Sequence, residues 1–301
     1  MFNFDYNLAF SRNLGWLTKE EQLLLKNKRI AIAGMGGVGG EYLITMARLG
    51  IGKFTISDFD KFEVGNFNRQ AGAFMHTIDK EKVRSMETQA LSINPNLEIS
   101  VFDKGINDNN LSKFLKDIDL YLDGLDIYAP EIRRKIFAYC ADHNIPAITA
   151  APIGMGVAIL TFLPGKMTFE EFFGMKGKSE LDQTIRLIAG ISTARYHLKY
   201  VADPKAIDFE NRKTPSTIMG IKLCAGVIGT TALKILLNRG KVLTAPRGIH
   251  FDAYTNTFKK TWMPWGYKNP IQKLIIAIVK KKLSTSKKRK NQYTIHIKTQ
   301  I

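Results

Sequence analysis

The chain has 301 residues, 45% of them hydrophobic, an ordinary share for a globular protein with a sizeable core and one that excludes a largely disordered polypeptide. Its formal charge is +17, yet Asp252 is the last acidic residue, and Lys259, Lys260, Lys268, Lys273, Lys280, Lys281, Lys282, Lys287, Lys288, Arg289, Lys290 and Lys298 follow it. The excess is therefore mostly a property of the C-terminal end; the body is only mildly basic, and nucleic acid is not expected as a partner.

The N-terminal residues mix Asp5, Arg12 and Lys19 among apolar side chains and lack the charged-then-apolar order of a signal peptide. No apolar stretch is read as reaching the roughly 18 residues of a membrane span, so a cytoplasmic place is the expectation. Thr18 and Glu21 have the spacing of a capping box, which starts a helical arm near Lys19. Strand 29–33 follows and breaks into Gly34, Gly36, Gly37 and Gly39 before a helix over 41–49. Gly34, Gly36 and Gly39 fit a G-x-G-x-x-G fingerprint, in which missing side chains bring backbone N–H groups and a helix N-terminus up to phosphates. A second strand over 53–57 ends at Asp58, close to the roughly 20-residue distance at which an acidic group receives a ribose hydroxyl. These residues alone allow either a nicotinamide cofactor or ATP.

Helix 79–92, strand 97–102, a short helix over 110–116, strand 118–122, helix 131–143 and strand 146–150 continue the alternation. The expected fold class is α/β, a Rossmann-like doubly wound sheet. Val157–Phe162 reads as a further strand, closed by a turn at Pro164 and Gly165. Beyond it, Leu181–Tyr200 and Thr217–Leu237 are long helical patterns around a polar linker at Asp203–Pro215, and Ile249–Tyr254 with Phe258–Trp262 form a closing pair of strands. The second half of the sheet is thus expected to be partly antiparallel. One domain is expected over 1–265, with its nucleotide-binding half at 29–150 and a helical insertion at about 165–215, followed by a basic amphipathic tail over 266–301. In that tail Ile271, Leu274, Ile275, Ile278 and Val279 recur at helical spacing among lysines. Two readings stand: a helix packed on the body with a solvated polybasic end, or a weak peripheral contact with the inner face of an anionic membrane.

Asp58-Phe59-Asp60-Lys61-Phe62-Glu63-Val64-Gly65-Asn66-Phe67-Asn68-Arg69-Gln70 resembles the D-x-D-x-V-x-x-x-N-x-x-R-Q segment of the ThiF, MoeB and ubiquitin-activating enzyme superfamily. The resemblance extends through Leu49-Gly50-Ile51-Gly52, Lys82, Ile93-Asn94-Pro95 and Asp123-Gly124-Leu125-Asp126, and covers about residues 10–150. It implies activation of a carboxylate by ATP and magnesium, giving an acyl adenylate and pyrophosphate. It also implies the roles: Gly34, Gly36, Gly37 and Gly39 at the phosphates, Asp58 at the ribose, Asn66 and Arg69 at the nucleotide, Lys82 at phosphate and Asp126 as magnesium ligand. Arg12 resembles the arginine that reaches the phosphates of the neighbouring subunit in a homodimer. Asp60 either lies near the metal or caps its turn. By residue type alone Lys82 is a solvated helix lysine, Arg133 and Arg134 either approach substrate or form a solvated basic face, and Asp123 serves structure.

Ubiquitin-activating enzymes and ThiF carry a cysteine in the crossover segment, whereas this chain has none between Cys140 and Cys224. Both thiols stand in apolar helical patterns and are expected in the core. Neither lies in a C-x-x-C, and the paired zinc cysteines of MoeB-like members are missing, so no zinc is expected. Adenylation without a thioester is the consistent expectation, acting on the C-terminus of a ubiquitin-like or small carrier protein. The alternatives are a small-molecule or tRNA-attached carboxylate, as in threonylcarbamoyladenosine dehydratases, and an NAD-dependent oxidoreductase. Ala150–Gly156 followed by Met167–Phe173 resembles bacterial ThiF-family proteins but specifies neither substrate nor acceptor.

Overall fold

The structure is a computed structural model that describes residues 3–207 and 214–281. The polybasic run from Lys282 onward and part of the polar linker lie outside the described residues. The N-terminal arm holds α1 (Tyr6–Ala9) and α2 (Lys19–Asn27), and α2 opens with the capping box that Thr18 and Glu21 predict. Then β1 (Arg29–Ala33), α3 (Gly37–Leu49), β2 (Lys53–Ser57), α4 (Lys82–Ile93), β3 (Glu98–Phe102), α5 (Leu111–Phe114), β4 (Leu120–Asp123), α6 (Pro130–Asp142) and β5 (Ala147–Ile153) alternate as expected. A tight turn through Gly154, with φ +62°, leads into β6 (Gly156–Phe162). After α7 (Phe169–Phe173), α8 (Glu180–Ile191) and α9 (Ile218–Leu236), the chain adds β7 (Arg247–Asp252) and β8 (Thr257–Trp262), and closes its described part with α10 over 270–281.

The eight strands form one sheet in the order β3-β2-β1-β4-β5-β6-β7-β8. The first five are parallel and the last three antiparallel, so the expected doubly wound sheet with a partly antiparallel second half is what the chain builds. Alternate side chains of each strand divide between two cores. Ile30, Ile32, Phe54, Ile56, Leu120 and Leu122 meet α3, α4 and α9 on one face, while Ala31, Ala33, Tyr121 and Ala147 meet α5 to α8 on the other. Burial on both faces explains the apolar runs Ile30–Ala33 of β1 and Leu120–Leu122 of β4.

Three features of the structure depart furthest from the sequence reading. Helix α3 starts at Gly37, not 41, because its glycines form the first turn instead of preceding it. The pattern Leu181–Tyr200 ends as a helix at Ile191: Arg195 adopts a left-handed φ of +51°, which breaks the helical run before a short 3-10 turn at Tyr196–Lys199. The third concerns membrane length. Lys222 and Lys234 interrupt Ile218–Leu236, yet an 18-residue window of α9 keeps a mean hydropathy of 1.5, so by length and composition this helix could cross a bilayer. Here α9 sends Ile221, Cys224, Ala225, Ile228 and Ala232 into the core shared with α3 and the sheet.

The tail helix α10 is capped by Asn269, whose Oδ1 accepts from the amides of Ile271 and Gln272. Ile275, Ile276 and Val279 pack on Ile185 and Ala189 of α8, and Lys280 pairs with Asp182 at 2.8 Å. The packed reading therefore describes one face of this helix.

Candidate active site at the C-terminal ends of the parallel strands

The chain leaves β1 at Gly34, whose φ of +86° suits a residue without Cβ and whose N–H donates to the Ser57 carbonyl at 2.7 Å. One turn later a Cβ on Gly39 would lie 1.8 Å from the Gly34 carbonyl oxygen, a contact no side chain permits. The loop and the first turn of α3 are thereby pressed together, and α3 has no side-chain cap, so its leading N–H groups remain available to an anion.

Asp58, at the end of β2, braces this loop. Its Oδ2 accepts from the Met35 amide at 2.6 Å and its Oδ1 from the Asp60 amide at 2.8 Å. Burial raises its pKa above the ordinary carboxylate value, although those amide bonds and the nearby Lys82 charge pull the other way. Each oxygen keeps a lone pair for a ribose hydroxyl.

Lys82 opens α4, with 7% of the residue exposed and Nζ 3.0 Å from Asp60 Oδ2. This is no solvated helix lysine. Asp60, for its part, is the lysine's anchor. A buried ammonium held by the Asp60 carboxylate, it also acts electrostatically on Asp58, which braces the glycine loop.

The segment between β2 and α4 carries the other motif residues. Arg69 is half-buried, and its Nη1 donates to the Gly65 carbonyl and to Asn68 Oδ1, both at 2.9 Å. Its Cγ lies 3.8 Å from where a Cβ on Gly37 would stand, so it borders the loop. Asn66 accepts from the Glu63 amide and shapes its own turn. Gln70, quoted in the motif but given no role from sequence, is buried beside Gly36 with Oε1 unpartnered.

The corner after β4 closes the site. A Cβ on Gly34 would lie 2.4 Å from the Gly124 carbonyl oxygen, so the two turns touch. Asp123 beneath them is buried: Oδ2 accepts from Arg133 Nε at 2.7 Å and Thr149 Oγ1 at 2.8 Å, and Arg133 Nη2 reaches the Leu125 carbonyl. Arg133 is thus a buried clasp and not part of a solvated basic face; Arg134 is half-buried with its Nε shielded from water. Exchanging Arg133 for Met strands the Asp123 charge, and we expect a loss of about 3–5 kcal/mol in urea-unfolding stability.

Asp126 stands exposed on this corner, with Oδ1 accepting from the Tyr128 amide at 3.0 Å and, among the described residues, no partner on the other oxygen. Among the described residues no group of three His, Cys, Asp or Glu side chains could hold a metal alone. One free carboxylate oxygen nevertheless suits magnesium, which takes one or two carboxylates beside phosphate oxygens and water. Arg12, exposed on the turn Ser11–Asn13, is not joined by any contact within the chain to the other candidates. The two cysteines are buried, Cys140 in α6 and Cys224 in α9, and burial pushes both thiols far above the ordinary range.

Sequence reasoning missed a polar cluster at the same edge of the sheet. Tyr200 donates to Asp252 Oδ2 at 2.6 Å and accepts from the Met155 amide at 2.8 Å, tying the segment after α8 to the β5–β6 turn. His250, fully buried under the Tyr196 ring, has neither ring nitrogen partnered. The signal was available: His250 and Asp252 are polar at alternate positions beside the apolar Ile249 and Phe251. Burial lowers the His250 imidazole to about 4 from an ordinary 6.5, against the pull of Asp252. Between those values the unfolded chain binds the extra proton and the folded one does not, so stability falls as pH drops from 6.5 towards 4. We expect His250→Phe to lose about 2 kcal/mol less than wild type over this range in pH-dependent unfolding.

A 138-residue stretch is 33% identical to tRNA threonylcarbamoyladenosine dehydratase of Haemophilus influenzae, covering 46% of this chain and 52% of that protein. A 162-residue stretch is 28% identical to molybdopterin-synthase adenylyltransferase of Escherichia coli, covering 53% of this chain and 64% of that one. The chain therefore spans between half and two thirds of these relatives' length. In three dimensions it is similar in fold to E. coli MccB solved with ATP, with a TM-score of 0.61 and 22% identity over 81% of this chain and 66% of that one. The sequence model of the ThiF family matches residues 10–270, from the N-terminal arm through the last strand of the sheet, and with a match of that extent the chain belongs to the ThiF family.

Proposed function

We propose that this chain is an ATP-dependent adenylyltransferase that activates a carboxylate. The observation that carries the reading is Lys82: a buried cation, tethered to Asp60 and set beside a glycine loop that Asp58 braces. A nicotinamide dinucleotide would need the loop and Asp58 but not a second fixed charge. Attack of an anion on a polyanion is held back by repulsion, so positioned cations are what the reaction needs most.

In this reading the leading N–H groups of α3 bind phosphate, Asp58 receives the ribose hydroxyls, and Lys82 and Arg69 neutralise charge on the phosphates. A substrate carboxylate oxygen forms a bond to the α-phosphorus, and the bond to the bridging oxygen breaks, releasing pyrophosphate with that electron pair. No proton need move. Asp126 would hold magnesium, which supplies further neutralisation of the phosphate oxygens when bound. The buried thiols support an acyl adenylate that is not passed to a cysteine of this chain.

The catalytic unit is taken as residues 1–265, acting as a homodimer in the cytoplasm, where ATP is supplied. The dimer reading rests on the arm: Arg12 shares it with exposed Leu14, Trp16, Leu23 and Leu24, an apolar set that a second copy would cover. Two substrate classes follow from the two relatives: a carrier-protein C-terminus of the ubiquitin-like kind, or a small or tRNA-attached carboxylate. Exchange of labelled pyrophosphate into ATP, assayed with carrier proteins ending in Gly-Gly, free amino acids and modified tRNA, separates them. Exchange with any one class supports adenylation, and selective NAD binding without ATP binding would overturn it.

A further inference from the structure

Helix α10 carries a wider apolar arc than the body covers. At 100° per residue Gln272, Ile275, Ile276 and Val279 point one way, and the last three of these are the side chains that meet α8. Ile271, Leu274 and Ile278 project from a neighbouring stripe and are 67%, 62% and 46% exposed. Trp265, 69% exposed, stands in the turn that feeds the helix. Lys273, Lys280 and Lys281 are exposed around it, and Lys280 holds the helix to α8 through Asp182.

We infer that this stripe is a docking surface for an anionic lipid bilayer, with Ile271, Leu274 and Ile278 entering the headgroup–acyl boundary and Lys273 facing lipid phosphates. Charge decides between occupants. No acidic residue follows Asp252, so neither the chain's own C-terminal residues nor the same helix of a second copy offers a counter-charge to Lys273. Three side chains are also far short of the roughly 800 Å² per partner that a stable dimer buries. Nucleic acid would satisfy the lysines but leave the isoleucine and leucine side chains in water. A bilayer with anionic headgroups satisfies both, and an exposed Trp beside a basic amphipathic helix is the composition of an interfacial segment. The inference is independent of the reaction at the nucleotide site.

The test uses the full chain and sedimentation with vesicles of phosphatidylcholine alone or mixed with phosphatidylglycerol. Retention is expected on the mixed vesicles only, falling as salt rises. Ile271→Ser, Leu274→Ser and Ile278→Ser together keep every charge and should weaken retention by about tenfold or more, because three exposed apolar groups no longer insert. Lys273→Gln alone should weaken it about fivefold. All four positions are solvent-facing, so an unchanged far-UV spectrum is expected, and the lipid and salt dependence of the wild type stands even if a variant misfolds. Equal retention on neutral vesicles, none on either kind, or full retention by the triple variant would overturn the inference. So would a triple variant that dissociates a wild-type dimer while wild type ignores vesicles.

Discussion

Gly39→Ala is expected to abolish nucleotide binding and to destabilise the chain by about 3 kcal/mol or more. The added carbon would lie 1.8 Å from the Gly34 carbonyl oxygen, and neither side can yield cheaply. Gly34 is held by its own amide bond to Ser57 and by contact with Gly124, while Gly39 is fixed within the first turn of α3. Relief would have to come from shifting α3 away from β1, which opens the core around Val38 and Leu43 and misdirects the N–H groups that face phosphate. Gly36→Ala is the matched control, since its Cβ would meet nothing nearer than 3.8 Å. Denaturant unfolding and titration with ATP check both, and a Gly39→Ala chain as stable as Gly36→Ala would refute the close approach.

Arg69→Ala and Asp126→Ala should each lower pyrophosphate exchange by about 100-fold to 1,000-fold, the loss expected when one preorganised electrostatic group is removed. Both side chains are partly or fully exposed, and their own bonds serve only local turns, so stability should move by less than about 1 kcal/mol. That separation distinguishes them from Arg133, whose loss acts through folding. Lys82→Ala is less clean, because removing a buried ammonium also frees Asp60 and the start of α4. Lys82→Met also leaves Asp60 unpaired but keeps the buried stem, and so separates loss of charge from loss of packing.

What sequence could reveal depended on how far apart the interacting residues lie. Strands such as β1 and β4 are legible because the short apolar runs Ile30–Ala33 and Leu120–Leu122 end in glycine or aspartate, and the glycine loop because its spacing reflects one local turn. Helix α3 was started late because glycines have poor intrinsic propensity, and tertiary packing of Gly39 and Gly40 outweighs that here. Helix α7 went unread although Thr168 and Glu171 form a capping box as regular as that of Thr18 and Glu21. Leu198 and Tyr200 prolonged the helical pattern of α8, but Leu198 is exposed and Tyr200 serves Asp252. The pairs that set the electrostatics were beyond periodicity altogether. Lys82 meets Asp60 across 22 positions, Asp123 meets Thr149 across 26, and Tyr200 meets Asp252 across 52, each joined only once the sheet is assembled.

The space bordered by the glycine loop, Asp58 and Arg69, with Lys82 close to Asp58, is expected to take ATP. Calorimetric titration of the full chain with the non-hydrolysable analogue AMPCPP and, in parallel, with NAD checks this. Saturable binding of the triphosphate is expected, strengthened by magnesium and lost in Lys82→Met, with no heat from NAD. Binding of NAD alone, or triphosphate binding indifferent to Lys82, would contradict it.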